Sequence, residues 1–257
     1  MSVWFRAKAW LRYRSVAKNR HGVHSPFVYA LNEKVFPPAS ADDFGSHPAE
    51  AWRTLCLNNH DTIEVSDFGT GVSGPRAVAD IAKRAAKPPH AAQLLHRLVR
   101  HFAPGTMLEL GTSLGITTLY QQSAAPDAKF ITIEGCPQTS ALAAEVFKQQ
   151  HTKIELRTGT FENELLPALQ TLKSVDYVYF DGNHRKQPTL DYFYACLPFA
   201  HENTVFIFDD IHWSAEMEEA WEVIQADKNV TVTIDVFDFG LVFFRNGQIK
   251  EDFVIRW

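Results

Sequence analysis

Two apolar runs in this chain end in acids. Tyr177-Val178-Tyr179-Phe180 leads into Asp181-Gly182-Asn183-His184, and Val205-Phe206-Ile207-Phe208 leads into Asp209-Asp210-Ile211-His212. Carboxylates gathered at neighbouring strand ends repel one another, and a hard divalent cation such as Mg²⁺, which takes oxygen ligands in an octahedron, removes that repulsion. The competing use of Asp at such positions is to cap the next helix or hold a loop. A histidine follows each acid group, and imidazole is the side chain that exchanges a proton near neutral pH.

A second constellation lies earlier. Met107-Leu108-Glu109-Leu110 breaks into Gly111-Thr112-Ser113-Leu114-Gly115, and a further apolar run from Phe130 to Ile133 ends on Glu134. A strand, a glycine turn, a helix and a strand tipped by an acid make half of a nucleotide-type site, in which glycine lets a ligand approach the backbone and the acid accepts from ribose hydroxyls. The spacing is G-x-x-x-G, whereas a dinucleotide fingerprint reads G-x-G-x-x-G and places pyrophosphate on the helix N-terminus. Glu109, two residues before the first glycine, would repel a pyrophosphate and suits a ligand bearing an ammonium or sulfonium charge. An adenosine compound with such a charge is the expected ligand.

These residues need a sheet to position them. From Thr106 onward strands alternate with helices, the pattern of βαβ units around a parallel sheet. Strands are expected near 106–110, 130–134, 154–158, 176–181 and 204–209, and helices near 115–123, 137–150, 163–172, 187–198 and 213–227. Val230 to Phe237 and Leu241 to Arg245 are joined by Asp238-Phe239-Gly240, too short for a helical crossover, so this last pair must be antiparallel. A dehydrogenase would keep its final strands parallel. Upstream, a helix from Pro48 to Asn58, a short strand Thr62 to Val65 and a helix Ala91 to Phe102 are expected, with proline-rich connections at Pro37-Pro38 and Lys87-Pro88-Pro89. Asp67-Phe68-Gly69-Thr70-Gly71-Val72-Ser73-Gly74 also looks like a glycine loop, yet no acid-tipped strand follows it at the right distance. It reads as a plain turn or a lid over the site.

With 257 residues, 46% hydrophobic and 21% charged, the chain has the composition of a soluble globular protein. No apolar run reaches membrane-spanning length, and Arg6, Lys8, Arg12 and Arg14 interrupt any signal-peptide core. Cys56, Cys136 and Cys196 are widely spaced and read as reduced thiols, which points to the cytoplasm. The net charge of −5 conceals an asymmetry: residues 1–32 carry Arg6, Lys8, Arg12, Arg14, Lys18 and Arg20 and no acid. With Trp4, Phe5, Trp10 and Tyr13 interleaved, this head either docks on the acidic remainder or touches an anionic partner, including peripheral contact with a membrane. The acidic remainder argues against dedicated nucleic-acid binding.

The glycine turn resembles motif I of the class I S-adenosylmethionine-dependent methyltransferases. Together with Glu134, Thr158-Gly159-Thr160-Phe161, "DGNH" and "DDIHW", it is similar to the metal-dependent O-methyltransferases of the catechol, caffeoyl-coenzyme A and macrocin types, over about residues 90–245. The resemblance implies a Rossmann-like α/β fold with a seven-stranded, mostly parallel sheet closed by the antiparallel hairpin. It implies an N-terminal helical and lid extension over 1–89 and a catalytic domain over 90–257. Glu109, Gly111, Ser113 and Gly115 would then shape the methionine pocket, Glu134 would bind the ribose, and Thr160 with Phe161 would border the adenine, with Asp181 at the cofactor's edge. Asp181, Asp209 and Asp210 would hold the metal. The catechol-type catalytic Lys is replaced here by His184, whereas the macrocin type places a His at the position of His212, so two histidines compete for the role of base and His212 is slightly favoured. Arg20 to Tyr29, "RHGVHSPFVY", resembles a segment of bacterial methyltransferases of this type, and its His21 and His24 are further candidates at the acceptor site. The implied activity is methyl transfer to an oxygen of a small hydroxylated acceptor; a homodimer is the assembly considered. The alternatives are metal-independent N- or O-methylation and a cofactor-binding protein without turnover.

Overall fold

The computed structural model describes residues 3–19, 22–38, 44, 47–66, 71 and 73–257. In chain order the elements are α1 (Val3–Val16), α2 (Pro26–Lys34), α3 (Pro48–Leu57), β1 (Thr62–Val65), β2 (Gly74–Ala77), α4 (Val78–Ala85), α5 (Pro89–Phe102), β3 (Thr106–Leu110), α6 (Ile116–Ala124), β4 (Lys129–Glu134), α7 (Pro137–Gln149), β5 (Glu155–Thr158) and α8 (Phe161–Leu172). They continue with β6 (Tyr177–Phe180), α9 (Lys186–Cys196), β7 (Val205–Asp209), α10 (Ala215–Ala226), β8 (Val232–Asp235), β9 (Phe239–Phe243) and β10 (Glu251–Val254). Local chemistry sets many of these limits. Proline opens α2, α3, α5 and α7, where its missing N–H costs nothing. Ser25 and Ser214 accept from the first-turn amides of Val28 and Met217, and α5 stops where Ala103 turns left-handed at φ 46°.

The chain forms two compact units, Pro38–Leu172 and Met1–Pro37 with Lys173–Trp257. Segment 38–89 belongs to the unit that holds the glycine turn, and residues 1–37 belong to the unit that holds the C-terminal strands. In Pro38–Leu172, β3, β4 and β5 run parallel, with Glu134 opposite Thr158 at one end. Their helices cover a core that includes Cys56, Leu119, Tyr120, Val146 and Phe147. β1 and β2 form a separate antiparallel ribbon.

In the other unit β6 runs parallel to β7, β7 is antiparallel to β9, and β9 to β8. The hairpin is present as the short link required. The turn falls at Val236–Asp238, so Phe239 and Gly240 belong to the strand, and Gly240 is needed because a Cβ there would lie 2.6 Å from the Trp221 ring. β10 pairs parallel with β8, a strand beyond the expected antiparallel hairpin. Its sequence, Glu251-Asp252-Phe253-Val254, is polar enough to read as a loop, and it is an edge strand whose first two residues are exposed. The Rossmann-like, mostly parallel fold class is otherwise as expected. No helix among the described residues is long and apolar enough to cross a membrane.

Candidate active site

The glycine turn joins β3 to α6 at the edge where Glu134 ends β4. Gly111 has φ 102° and Gly115 φ 76°, a region that L side chains rarely adopt. A Cβ at Gly115 would also lie 2.8 Å from the Phe147 ring, so this glycine serves the packing of α6 on α7 as well as the turn. Ser113, at φ 50°, points its amide at Glu134: Ser113 N donates to Oε2 at 2.7 Å, and Cys136 N donates to Oε1 at 2.8 Å. Two backbone amides thus fix the carboxylate's orientation. Gly159 N donates to Glu134 O at 2.9 Å, which brings Thr160 and Phe161, both half-buried, to the same edge. Gly111, Ser113, Gly115, Glu134, Thr160 and Phe161 therefore converge at one end of β3, β4 and β5.

Glu109 does not present itself there. It is fully buried, accepting from Thr118 Oγ1 and Thr132 Oγ1 on Oε2 and from Gln121 Nε2 on Oε1, each at 2.6 Å. This corrects its expected role: the carboxylate ties β3 to β4 and α6, and it supports the turn from within. Burial raises its pKa to about 7 against the pull of those three donors. The protonated form has a use, since Gln121 Oε1 is buried without a hydrogen-bond partner and a flipped Gln121 amide would accept the proton of Glu109. A carboxyl whose folded pKa lies above its unfolded one stabilises most below the unfolded value, and that stability is lost as pH rises through the folded pKa. The protein is therefore expected to lose of the order of 2–3 kcal/mol between about pH 4.5 and pH 7 from this group. Glu109→Gln should flatten that slope in denaturant titrations, and a slope equal to wild type would refute the account.

Two supports of this edge carried no motif. Trp52 Nε1 on α3 donates to Leu114 O at 2.7 Å and pins the turn from outside. Cys136 holds the β1–β2 ribbon: Ser66 N donates to its Sγ at 3.4 Å, and Glu64 N donates to Gln138 Oε1 at 2.8 Å. The expected lid joins these two strands, but its residues 67–70 and 72 lie outside those described. Cys56, Cys136 and Cys196 are free thiols, all buried.

In the other unit the strand ends gather a different set than expected. Ligand atoms of Asp181, His184 and Asp209 lie within 4.8 Å of one another. His184 Nε2 is 3.7 Å from Asp181 Oδ1, and Tyr179 OH donates to Asp181 Oδ2 at 3.2 Å. Two carboxylates fit a divalent cation such as Mg²⁺ or Mn²⁺, with the His184 imidazole beside them. Asp210 is not in this set. A left-handed turn at φ 50°, fixed by Asp210 N donating to Asp238 O, places its carboxylate 3.6 Å from Arg6. Of the expected Asp181–Asp209–Asp210 set, Asp181 and Asp209 are brought together, with His184 beside them and Asp210 turned to Arg6.

His212, the slightly favoured base, is held by carboxylate partners. Its Nδ1 bonds Glu218 Oε1 at 2.8 Å, its Nε2 bonds Asp235 Oδ2 at 2.9 Å, and its ring stacks on Phe237. Both ring nitrogens are engaged by carboxylates, leaving none for a substrate. Burial alone would lower its pKa, but the hydrogen bonds and charge of Asp235 and Glu218 outweigh it and raise the value. His24 is exposed immediately before the cap of α2, and His21 lies outside the described residues.

The fold and the glycine turn are similar to those of class I methyltransferases, and comparison with known proteins finds the same likeness. Residues 108–211 match a family described as a methyltransferase domain. Among curated relatives, the transmembrane O-methyltransferases of Propithecus coquereli and Homo sapiens are 38% and 36% identical over 84 residues, 31% of this chain and 30% and 28% of theirs. The matched segment spans about 30% of those relatives' length. Among solved structures, the O-methyltransferase TomG from Streptomyces achromogenes in complex with S-adenosylmethionine has a TM-score of 0.54 at 22% identity, covering 63% of this chain and 82% of that one. The O-methyltransferase from Bacillus cereus in complex with S-adenosylhomocysteine has a TM-score of 0.57 at 16% identity, covering 83% and 94%. At such identities the likeness is one of fold.

Proposed function

We propose that this protein transfers the methyl group of S-adenosylmethionine to an oxygen of a small hydroxylated acceptor with the help of a divalent cation. The observation that carries the metal-assisted reading is the approach of Asp181, His184 and Asp209 at the ends of β6 and β7. Glu134 binds the ribose, Gly111, Ser113 and Gly115 leave room for the methionine part, and Thr160 with Phe161 borders the adenine. Asp181 and Asp209 hold the cation, which when bound orients the acceptor hydroxyl and lowers its pKa. His184 takes the hydroxyl proton. The oxygen forms the new bond to the methyl carbon while sulfur keeps the electron pair of the bond that breaks. Because sulfonium is already a good leaving group, in-line positioning and deprotonation are what the side chains contribute. A cytoplasmic setting, suited to three free thiols, is part of the proposal.

Glu134→Ala is expected to weaken S-adenosylmethionine binding by about 1.5–3 kcal/mol, as for a hydrogen bond to a charged group. Calorimetry that finds unchanged affinity, or a preference for NAD, would overturn the cofactor assignment. Exhaustive chelation that leaves turnover intact would replace the proposal by metal-independent transfer.

A further inference from the structure

Helix α1 carries large apolar side chains on two opposite sides, and its own unit covers only one of them. On the inner side Ala9 and Tyr13 pack with Phe237, Arg6 pairs with Asp210 and Asp238, and Arg12 pairs with Glu218. The expected docking of the basic head on acidic residues is therefore real, and it uses two of the cations. At 3.6 residues per turn Trp4, Lys8, Leu11 and Ser15 fall in one stripe on the opposite side. Trp10 and Arg14 flank it, and Lys18 follows just beyond the helix end. Trp4 is 86% exposed, Leu11 63% and Trp10 44%, and Arg14 lies over the Trp10 ring at 5.2 Å. Lys8, Arg14 and Lys18 are exposed as well. An ordinary surface helix turns its polar face outward, whereas this one turns out two tryptophans and a leucine beside Lys8 and Arg14, with Lys18 just past its end.

We propose that the outer face of α1 docks the protein on an anionic lipid surface, with the helix lying in the plane of the interface. Trp4, Trp10 and Leu11 enter the boundary between headgroups and acyl chains, and Lys8, Arg14 and Lys18 reach the lipid phosphates and carboxylates. Charge selects this occupant: the face holds cations and no acid, so it calls for an anionic partner, and a second copy of it would bring like charges together. Shape agrees, because the ridge of a single helix offers no groove to a peptide. The inference stands independently of the methyl-transfer reading.

Sedimentation of the 257-residue chain with phosphatidylcholine vesicles containing about 30% phosphatidylserine tests it, against vesicles of phosphatidylcholine alone. Partition is expected to be at least about tenfold stronger on the anionic vesicles and to weaken with added salt. The pair Lys8→Glu with Lys18→Glu should reduce it by about tenfold or more, as should Trp4→Ala with Leu11→Ala, each at an unchanged thermal midpoint because the side chains are exposed. As a second readout, tryptophan emission should shift to the blue on vesicle addition, and this shift should shrink in Trp4→Phe while sedimentation persists. Equal partition on both vesicle types, no partition at all, or wild-type binding by both paired variants would overturn the proposal. Self-association lost in Trp4→Ala with Leu11→Ala, without vesicle binding, would assign the face to a second copy instead.

Discussion

Asp209→Ala is expected to lower turnover by about 10³-fold, the several kcal/mol that a divalent cation contributes to charge stabilisation. S-adenosylmethionine affinity should stay near wild type, since Glu134 and the glycine turn are untouched. His184→Ala tests the same site by another route. If His184 takes the proton, kcat should fall by about 10²–10⁴ while calorimetric Mg²⁺ or Mn²⁺ affinity holds. If it is instead a third ligand, metal affinity should fall with kcat. Turnover unchanged in both variants would remove the acidic cluster from the reaction.

His212→Ala is expected to cost about 3–5 kcal/mol of folding stability, the penalty for breaking a buried ion pair by removing one partner. Glu218 and Asp235 would be left facing one another without the imidazolium between them, with side-chain exposures of only 16% and 9%. Arg12 still reaches Glu218, and Phe237 N still donates to Asp235 Oδ1 at 2.7 Å, which favours the lower end of the range. The sign with pH follows from each partner. His212, with its pKa raised, contributes stability that is full below its unfolded value and lost as pH rises through the folded one. For Glu218, burial opposes ionisation, but the hydrogen bonds and charges of Arg12 and His212 outweigh it and lower the pKa. Its contribution is present above the unfolded value and lost as pH falls through the folded one. The network is thus most stable between those limits. Equilibrium denaturation of His212→Ala should show the loss and a flatter curve above neutral pH, whereas kcat measured on the folded fraction should change little. A collapse of kcat at unchanged stability would return His212 to the chemistry.

The contrast between the two histidines marks how far the chain could be read without coordinates. Strand periodicity, the glycine turn and the acid at Glu134 are local patterns, and local patterns dictated the order of strands and helices from Thr106 to Phe243 and the antiparallel end of the sheet. A three-residue link admits no other geometry. That Asp181 and Asp209 close their strands was equally legible, because an apolar run that stops on an acid stops at the sheet's edge. Which neighbours share that edge is not a local property. Asp210 leaves the cluster because one residue turns left-handed, and His212 leaves it because Glu218, six residues on, and Asp235, on β8, take both its nitrogens. Glu109 shows the same limit, since its acid in motif I reads as ligand-facing until Thr118, Gln121 and Thr132, from a helix and a neighbouring strand, are seen to enclose it. The sequence by itself determined the class of fold, the glycine turn and the acid-tipped strands, all set by spacing along the backbone. Only the tertiary structure decided which of these side chains are enclosed and by what partners, because burial and partner choice depend on residues brought together from distant parts of the chain.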